Sequence, residues 1–555
     1  MTKLFTPTLA AALFFAAAAP SLSATVTIGE TPYETLDAAL KVVNDGETIQ
    51  IEGTENFGST VNPSGKTIAI AGKGENATIN FTKAGVIANL NADGSLTFKD
   101  LTIDCSSVTT SATNLIQQST GTLSLENVVI NKFTSAWTKN PGILRVFSTP
   151  VATTMSNVRF IEPTLPEGTA YYINNAVNNT TNADFRMTLK GECDNYVVNF
   201  NQANATIFAE GVYCENPVTI SFSSHTATVP VVQGSTDLLA FTTTASGKML
   251  VPTDGNLYVA DYKPLILVID GTGTGYASLN DVVKNASADS KNIVYANEDI
   301  VYSSAANFGG MTVDFIALNP EANKITVAAD KHLANASKAN TILSFSGFTI
   351  TQDLTKVAAL TAAFVADVQG EGSSVTFDNV TFDGLNSTKS FIRNLNAGAW
   401  HLNNVTFTNC VADNEGVAQS FATANLGGNS VSGTVTGLSL TVNGEYSVDA
   451  KGLVAGPIEV SVPKATDTSD FELFTNCTNP DLFTVNNGYE LKANANGGLN
   501  FAKATGTGIG SIEAAGNDSP AEYFTLDGRR VNPENLTSGL YIRRQNGKAV
   551  KIAIR

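Results

Sequence analysis

A six-residue phrase recurs along this chain and constrains its fold more than any other feature. Each copy has apolar residues at its first, fourth and sixth positions and Asn, Asp or Gly at its third. The close copies are FKDLTI at 98–103, LENVVI at 125–130, MSNVRF at 155–160, FDNVTF at 377–382 and LNNVTF at 402–407, and the looser copies are FSGFTI at 345–350 and VTGLSL at 435–440. The third residue suits a left-handed backbone, and its flanks suit strands. Copies follow one another every 25 to 33 residues within each half, which predicts a solenoid of stacked strands.

The chain also contains its own duplicate. The segment YETLDAALKVVNDGETIQI at 33–51 is echoed by YASLNDVVKNASADSKNIVY at 276–295, and later phrases match at offsets of 279, 277 and 280 residues. The opening segments themselves match at an offset of only 243 residues, so about 35 extra residues are expected early in the second copy, at 331–360. We predict a first unit at 24–264, a second unit at 265–505, a linker at 506–520 and a C-terminal β-domain at 521–555.

Each copy is expected to open with a short amphipathic helix. In the first copy Leu36, Ala39, Leu40 and Val43 share one face, and a Gly-Glu-Thr-Ile strand follows at 46–49. This opening resembles that of the right-handed parallel β-helices of pectin-degrading enzymes. The resemblance implies an all-β fold of tandem right-handed parallel β-helices with short capping helices. A stack of β-sandwiches is the structural alternative.

The tail, residues 521–555, differs from the rest of the chain. It carries seven Lys and Arg against three acids, whereas the whole chain has a net charge of −17. Asp-Gly at 527–528 and Asn-Gly at 546–547 predict two β-hairpins in a small β-sandwich or hairpin domain. The tail resembles the C-terminal sorting domains of the type IX secretion system of gliding and anaerobic bacteria. The matching residues are Gly528, Arg529, Val531, Gly539, Tyr541 and Lys551.

The beginning of the chain predicts export. Residues 1–23 combine Lys3, an apolar run at 9–19 and small residues up to Ser23, as a secretory signal peptide does. No later stretch reaches 18 uninterrupted apolar residues, so no transmembrane segment is expected in the mature chain. An acidic body argues against nucleic acid as a partner. We therefore expect a secreted or outer-surface protein, with the secretion machinery as a partner of the tail.

The cysteines and histidines suggest no chemistry. The five cysteines have no CxxC spacing and fit neither a metal site nor a disulfide framework; they are Cys105, Cys193, Cys214, Cys410 and Cys477. Cys105 and Cys410 closely follow repeat phrases, where a small buried residue would serve. The three histidines, His225, His332 and His401, each lack a partner four residues away. We expect no metal and no cofactor, and nothing in the sequence supports Ca²⁺.

Catalytic groups of the pectin-degrading enzymes are also missing. The chain has no Asp-Asp pair, no Gly-His-Gly and no Arg-x-Lys, so no catalytic residue is predicted. The strongest ligand-binding candidate is Arg393, because Asp367, Glu371 and Asp383 lie within about 30 residues and one or two coils could bring them together. The duplicate places Gln117 opposite Arg393, so this site is not expected in both halves.

Two tryptophans complete the candidates. Trp137 and Trp400 could stack on sugar rings if they were exposed. The sequence thus favours a non-catalytic glycan-binding or structural, adhesive module, with an extracellular polysaccharide or cell-surface glycan as partner. The alternative is a polysaccharide lyase or other carbohydrate-active β-helix enzyme with an unrecognised site. An adhesin for host protein is a third hypothesis.

Overall fold

The computed structural model describes residues 24–554, except for 109, 112, 139–141, 148–151, 167–172, 176–185, 195, 201–203, 223–224, 395–397, 415–416, 419–420, 424–427, 443–444, 467, 486–487, 505–520, 527–528 and 546–547. The predicted signal peptide, the predicted linker and both predicted hairpin turns lie outside the described residues. The chain divides into two compact units, residues 1–277 and 278–555. The described part is nearly all β, as the sequence predicts, and its long sheets are mainly parallel.

Two sheets build the first unit. Sheet I has fifteen strands: Thr25–Ile28, Thr31–Tyr33, Thr48–Glu52, Thr54–Phe57, Thr67–Gly72, Thr78–Phe81, Ser95–Asp104, Thr122–Asn131, Ala152–Ser156, Arg159–Ile161, Arg186–Glu192, Thr206–Tyr213, Val232–Gln233, Lys248–Thr253 and Asn256–Asp261. Sheet II has seven: Ala88–Leu90, Ile116–Gln118, Leu144–Val146, Ile173–Asn175, Val197–Phe200, Val218–Phe222 and Phe241–Thr243. Leu265–Ile269 and Thr272–Tyr276 form a further antiparallel pair.

The second unit repeats this plan. Sheet III includes Lys291–Ala296, Ile300–Tyr302, Thr312–Ala317, Lys324–Val327, Ile342–Ser346, Thr349–Gln352, Ser374–Asp383, Ala399–Thr408, Ser430–Thr436, Val448–Asp449, Leu453–Ala455, Asp470–Thr475, Tyr489–Ala493 and Leu499–Lys503. Sheet IV comprises Ala334–Ala336, Ala366–Val368, Ile392–Asn394, Phe421–Thr423, Ser439–Val442, Ile458–Ser461 and Phe483–Val485. A small sheet V comprises Asn386–Ser387, Val411–Asn414 and Val417–Ala418.

Successive repeats pair in parallel register. Leu125 lies opposite Phe98 on one side and Met155 on the other, so equivalent phrase positions are neighbours in sheet I. In sheet III Phe377 lies opposite Phe345 and Leu402 in the same way. The pairing therefore links residues a full repeat apart, as the recurring phrase predicts.

The apolar phrase positions point into the core. In the phrase at 377–382, Phe377, Val380 and Phe382 are at most 1% exposed. The stacked rings of Phe345 and Phe377, with centroids 5.4 Å apart, show how neighbouring repeats fill this core. Among the first, fourth and sixth positions of all seven copies, Phe160 alone is not buried. Each repeat therefore adds one layer of apolar side chains, and burial of that layer drives the stacking.

The predicted helices are present at both positions. They span Leu36–Val42 and Leu279–Asn285, and each begins at a hydroxyl N-cap, Thr35 or Ser278. The sequence predicts that the helix covers the first strand of the stack. The helix does pack against Thr48–Glu52 and Thr54–Phe57, and in addition the hairpin formed by Thr25–Ile28 and Thr31–Tyr33 pairs antiparallel with Thr48–Glu52 at that edge. An unpaired sheet edge invites association with other chains, and the hairpin pairs directly with the backbone groups of this one.

The tail strands are where the sequence places them, but the prediction of one extra repeat at 331–360 is wrong. Ile342–Ser346 is the third parallel strand after the helix in sheet III, as Ser95–Asp104 is in sheet I, and sheets II and IV have seven strands each. The two units therefore match layer for layer, and the offset of about 279 residues compares strands that lie one repeat out of step. In the tail Glu522–Phe524, Arg530–Val531, Gly539–Gln545 and Lys548–Ile554 form sheet VI, which is antiparallel throughout. Two short 3₁₀ helices span Pro480–Leu482 and Pro533–Asn535.

Candidate functional site

Two neighbouring strands of sheet IV bring Asp367 and Arg393 together. Their Cα atoms are register partners in Ala366–Val368 and Ile392–Asn394. Arg393 Nε donates to Asp367 Oδ1 at 2.8 Å, and Nη2 donates to Oδ2 at 2.7 Å. A guanidinium that meets a carboxylate through two parallel hydrogen bonds has a fixed orientation. Parallel pairing of the repeats therefore turns two residues 26 positions apart into one rigid ion pair.

Asp367 lies almost entirely inside this arrangement. Its side chain is only 4% exposed, against 31% for Arg393. Gln369 Nε2 also donates to Asp367 Oδ2, at 2.7 Å. A buried carboxylate is tolerated only when its oxygens are hydrogen-bonded. Asp367 therefore fixes the Arg393 guanidinium from the buried side of the sheet, while part of the Arg393 side chain remains exposed.

The ring of Phe364 carries three polar side chains. Arg393 Cζ lies 4.3 Å from the ring centroid, and Lys389 Nζ lies 5.6 Å from it. The imidazole of His332 stacks on the same ring at 5.9 Å, with 4° between the planes. A cation above an aromatic face is attracted by the ring quadrupole, by roughly 0.5–1 kcal/mol at an exposed site. We call these residues, with Asp367, the Arg393 cluster.

Both nitrogens of His332 face protein groups. The backbone N–H of Phe364 donates to Nδ1 at 3.1 Å, so in the neutral ring the proton is on Nε2. Nε2 in turn lies 3.8 Å from Asp367 Oδ2. A general base needs a free lone pair within reach of the substrate proton. His332 therefore positions the loop and does not offer a base.

Asp330 fixes the loop that carries Phe364. It accepts the hydroxyl of Thr361 at 2.7 Å and backbone N–H groups of Thr361, Ala362 and Ala363. Desolvation acts to raise the pKa of Asp330, but these hydrogen bonds outweigh it and hold the pKa below its ordinary value. The cluster is thus built on a loop that is anchored by a carboxylate from the preceding repeat.

The other predicted acids do not join the cluster. The Glu371 carbonyl accepts the N–H of Asn340 at 2.9 Å, and Asp383 accepts an amide hydrogen from Asn409 at 3.1 Å. Neither has a contact with Arg393 among the described residues. Of the three acids that the sequence places near Arg393, only Asp367 pairs with it in the structure.

The two tryptophans have different environments. Trp400 has no exposed surface, so its indole cannot contact a ligand in this conformation, and its candidacy is corrected on that ground. It lies in the core because its strand alternates inward and outward and Trp400 falls on an inward position. Trp137 is partly exposed, and Arg145 Cζ lies 4.9 Å from its ring. Arg145 also lies 3.8 Å from the ring of Phe147.

The remaining histidines lie on strands and loops without a metal partner set. His401 Nδ1 is 2.9 Å from Ser430 Oγ, and burial lowers the pKa of His401. His225 Nε2 is 3.0 Å from the carbonyl oxygen of Ala205, and burial lowers its pKa as well. Within the described residues, no group of three or more His, Cys, Asp or Glu side chains is arranged to hold a metal ion.

The cysteines behave as core or partly buried thiols. All five are free, and Cys105, Cys193 and Cys477 are buried, while Cys214 and Cys410 are partly exposed. Burial raises the pKa of Cys105 and that of Cys193 to about 12. Such thiols are poor nucleophiles at neutral pH, because the thiolate is the reactive form.

The tail residues singled out by the sequence lie largely in sheet VI. Val531 is on Arg530–Val531, Gly539 and Tyr541 are on Gly539–Gln545, and Lys551 is on Lys548–Ile554. Tyr541 is 8% exposed and is buried in this sheet. Arg529 closes the first hairpin, because its N–H donates to Thr525 Oγ1 at 3.1 Å. Gly528 lies outside the described residues.

Comparison of the chain with protein-family models, with curated proteins and with solved structures found no match. Among the helices that the structure describes, none combines the length and apolarity that a membrane span requires.

Sequence reasoning missed most of the Arg393 cluster. Phe364 and Lys389 belong to the connections between strands, and His332 precedes a strand of the repeat before. His332 and Phe364 each stand two residues before a strand of sheet IV, and Lys389 stands three residues before the next one, so stacking of the repeats brings them together. The short strands of sheet IV carry no recurring phrase that would have shown this alignment in the sequence. The signal that could have found them is the scarcity of arginine: only Arg145, Arg159, Arg186 and Arg393 precede the tail.

Proposed function

We propose that this chain is an exported cell-surface protein that binds glycans without transforming them. Its body would be two parallel β-helices, and its tail would be a sorting domain for secretion. The recurring phrases, the parallel register of successive repeats and the antiparallel tail sheet support the architecture. The expected signal peptide at 1–23 supports the location.

One observation carries the binding function: the guanidinium of Arg393 lies against Phe364 and is fixed by Asp367, and Lys389 Nζ lies 5.6 Å from the same ring. An oriented arginine and an ammonium group suit ligands rich in hydroxyl and carboxylate oxygens, as glycans are. Outward side chains of neighbouring strands recur about 4.8 Å apart, so a sheet face presents a row of polar groups to an extended ligand.

The same geometry argues against catalysis at this cluster. Asp367 is buried in its ion pair, and both nitrogens of His332 face protein groups. Neither is placed to take a proton from a substrate. A glycoside hydrolase would also need two carboxylates flanking the bond to be cleaved. The described cluster contains only one.

The test compares glycan binding by the full-length protein and three variants. Arg393→Gln and Phe364→Leu should each weaken binding to the glycan that an array identifies, by about tenfold or more, which corresponds to about 1.4 kcal/mol. Arg159→Gln is the matched control, because Arg159 is exposed on a strand of the first unit. Equal binding by all four proteins would refute the cluster as the binding site.

The rival function is a polysaccharide lyase, in which Arg393 or Lys389 would abstract a proton. Incubation of the full-length protein with polyuronates, with and without Ca²⁺, should release no unsaturated uronides that absorb ultraviolet light. Release that is abolished by Arg393→Gln would establish the lyase instead.

A further inference from the structure

Arginine side chains on aromatic rings recur in this molecule. Of the four arginines that precede the tail, three lie over rings. Arg145 is 3.8 Å from Phe147 and Arg393 is 4.3 Å from Phe364. The third is Arg186, whose Cζ lies 5.8 Å from the centroid of Phe208. In a chain so poor in arginine, this repeated pairing indicates that these side chains have a role on the surface.

Arg186 and Phe208 border a cavity on the outer face of sheet I. The cavity has a volume of about 210 Å³, and its lining consists of Arg186, Asn204, Thr206, Phe208, Val229, Pro230 and Gln233. It lies within the first unit, whereas the Arg393 cluster belongs to the second. The two are therefore built from separate sets of residues.

Strand register fixes the floor of this cavity. Phe208 lies opposite Thr188 on one strand and Gln233 on the next. Ile207 and Ala209 point inward and are buried, so Phe208 between them points outward. The ring is thus held at the surface by the alternation of its strand, beside the carboxamide of Gln233.

A loop closes one side of the cavity. Thr206 Oγ1 donates to the carbonyl oxygen of Pro230 at 2.9 Å, and Val229 N–H donates to the carbonyl of Thr226 at 3.0 Å. Val229 and Pro230 therefore form a fixed apolar wall. The polar part of the lining includes the guanidinium of Arg186 and the carboxamides of Asn204 and Gln233.

Size and lining define the ligand. Drug-sized pockets measure about 300–1,000 Å³, so a cavity of about 210 Å³ suits one ring of a longer molecule. Phe208 offers an apolar face for stacking, and the two carboxamides can donate to and accept from hydroxyl groups. Arg186 supplies the fork geometry that matches a carboxylate. These groups together suit a sugar ring that carries an acid.

We propose that this cavity is a binding site for one hexuronate residue of an acidic glycan. The ring would stack on Phe208, its hydroxyls would bind Asn204 and Gln233, and its carboxylate would pair with Arg186. The proposal rests on the proposed glycan-binding function but concerns a second site. Because the whole chain has a net charge of −17, an acidic glycan gains no long-range attraction, and local pairing with Arg186 must provide selectivity.

The experiment uses full-length protein carrying Arg393→Gln, which removes the other site. Glucuronate and glucose, which differ only in the carboxylate, are the probes, and ligand-observed NMR titration gives their affinities. The Arg393→Gln protein should bind glucuronate. Adding Arg186→Gln should weaken glucuronate binding about tenfold and abolish its preference over glucose. Adding Phe208→Ala should abolish binding of both sugars.

Tyr213→Ala is the matched control, because Tyr213 is a 61% exposed aromatic residue on the same strand as Phe208. It should leave both affinities unchanged. Absence of glucuronate binding in the Arg393→Gln protein, or binding that survives Arg186→Gln with its selectivity intact, would overturn the cavity as a site. Since Arg186 is exposed, its replacement tests the site even if Phe208→Ala impairs folding. If Arg393→Gln alone abolishes glycan binding, the proposed glycan-binding function is supported and the second site at the cavity is refuted.

Discussion

At the scale of single residues, the third position of the repeated phrase must satisfy two requirements. Asp100, Asn127 and Asn157 all have φ between 52° and 53°, in the left-handed region. Their side chains also form a ladder, in which Asn127 donates to Asp100 at 2.7 Å and Asn157 donates to Asn127 at 2.9 Å. Asparagine meets both requirements, since it tolerates this backbone and carries both a donor and an acceptor.

A glycine ends each ladder for a steric reason. After Asn157 the next position is Gly191. After Asn404 it is Gly433, not Gly437 of the loose copy at 435–440, because sheet III pairs Val405 with Val435. Both glycines have φ of 65°. A Cβ on Gly191 would lie 2.1 Å from Asn157 Oδ1, and one on Gly433 would lie 2.0 Å from Asn404 Oδ1. The amide oxygens accept backbone N–H groups there, from Glu192 and Thr434 at 2.9 Å. Only glycine leaves room for that bond.

This ladder gives the first prediction, a mutant cycle at positions 404 and 433. Asn404→Ala should lower the free energy of unfolding of the second unit by about 2 kcal/mol. About 1 kcal/mol comes from the strain of alanine in the left-handed conformation and about 1 kcal/mol from the lost side-chain hydrogen bonds. Asn404→Gly should cost less, because glycine relieves the backbone strain. Gly433→Ala alone should cost more than it does in the Asn404→Gly background, where the clashing amide is gone. Urea unfolding monitored by circular dichroism measures these differences, and additive costs would contradict the steric account.

The sequence predicts part of this residue-scale picture. It places Asn and Gly at left-handed positions, because few other residues tolerate them, and it places Asp367 within reach of Arg393. It does not predict the amide ladder, which depends on strand register, nor the contact of Phe364 and Lys389 with Arg393, which depends on loop paths. The missing information is three-dimensional, since each of these contacts crosses from one repeat to another.

At the scale of elements, a strand residue helps to begin the first helix. Glu55, on Thr54–Phe57, accepts the N–H of Leu36, the first residue of Leu36–Val42, at 2.8 Å. Glu55 is 6% exposed. Desolvation raises its pKa, the hydrogen bond from Leu36 partly opposes this, and nearby Asp37 adds to the rise. The sequence predicts the helix from its apolar face and cap, but not this partner, which lies in a different element.

The second prediction follows from the direction of that pKa shift. Because the folded protein binds the Glu55 proton more tightly than the unfolded chain does, stability contributed by this group falls as pH rises from the unfolded pKa through the higher folded pKa. Glu55→Gln keeps the acceptor oxygen and removes the charge. The melting temperature of Glu55→Gln minus that of wild type should therefore increase as the pH is raised from about 4 to about 7. Glu30→Gln, at an exposed glutamate, is the control and should show no such trend. A constant difference for Glu55→Gln across this range would refute the argument.

At the scale of the whole molecule, duplication explains the architecture. Two units of the same plan match the two copies in the sequence, and sheets II and IV have seven strands each. The sequence predicts this because apolar periodicity survives when other residues diverge. It does not predict the antiparallel strands at sheet ends, such as Lys248–Thr253 with Asn256–Asp261, because terminal strands depart from the repeat.

The last prediction concerns the tail. The described strands of residues 521–554 pair only with one another, in sheet VI, so they share no strand with the long sheets. Deletion of residues 521–555 should therefore leave the melting temperature of the body within about 2 °C of wild type, since few hydrogen bonds and little core would be lost.

If the tail is a sorting domain, the shortened protein should accumulate in the periplasm, and protease added to whole cells should digest the full-length protein only. Tyr541→Ser is the companion variant: it removes a buried side chain of sheet VI and should give the same mislocalisation without shortening the chain. Equal surface exposure of all three proteins would show that the tail has no sorting role. Unfolding of the body on deletion would show that sheet VI instead stabilises the second unit.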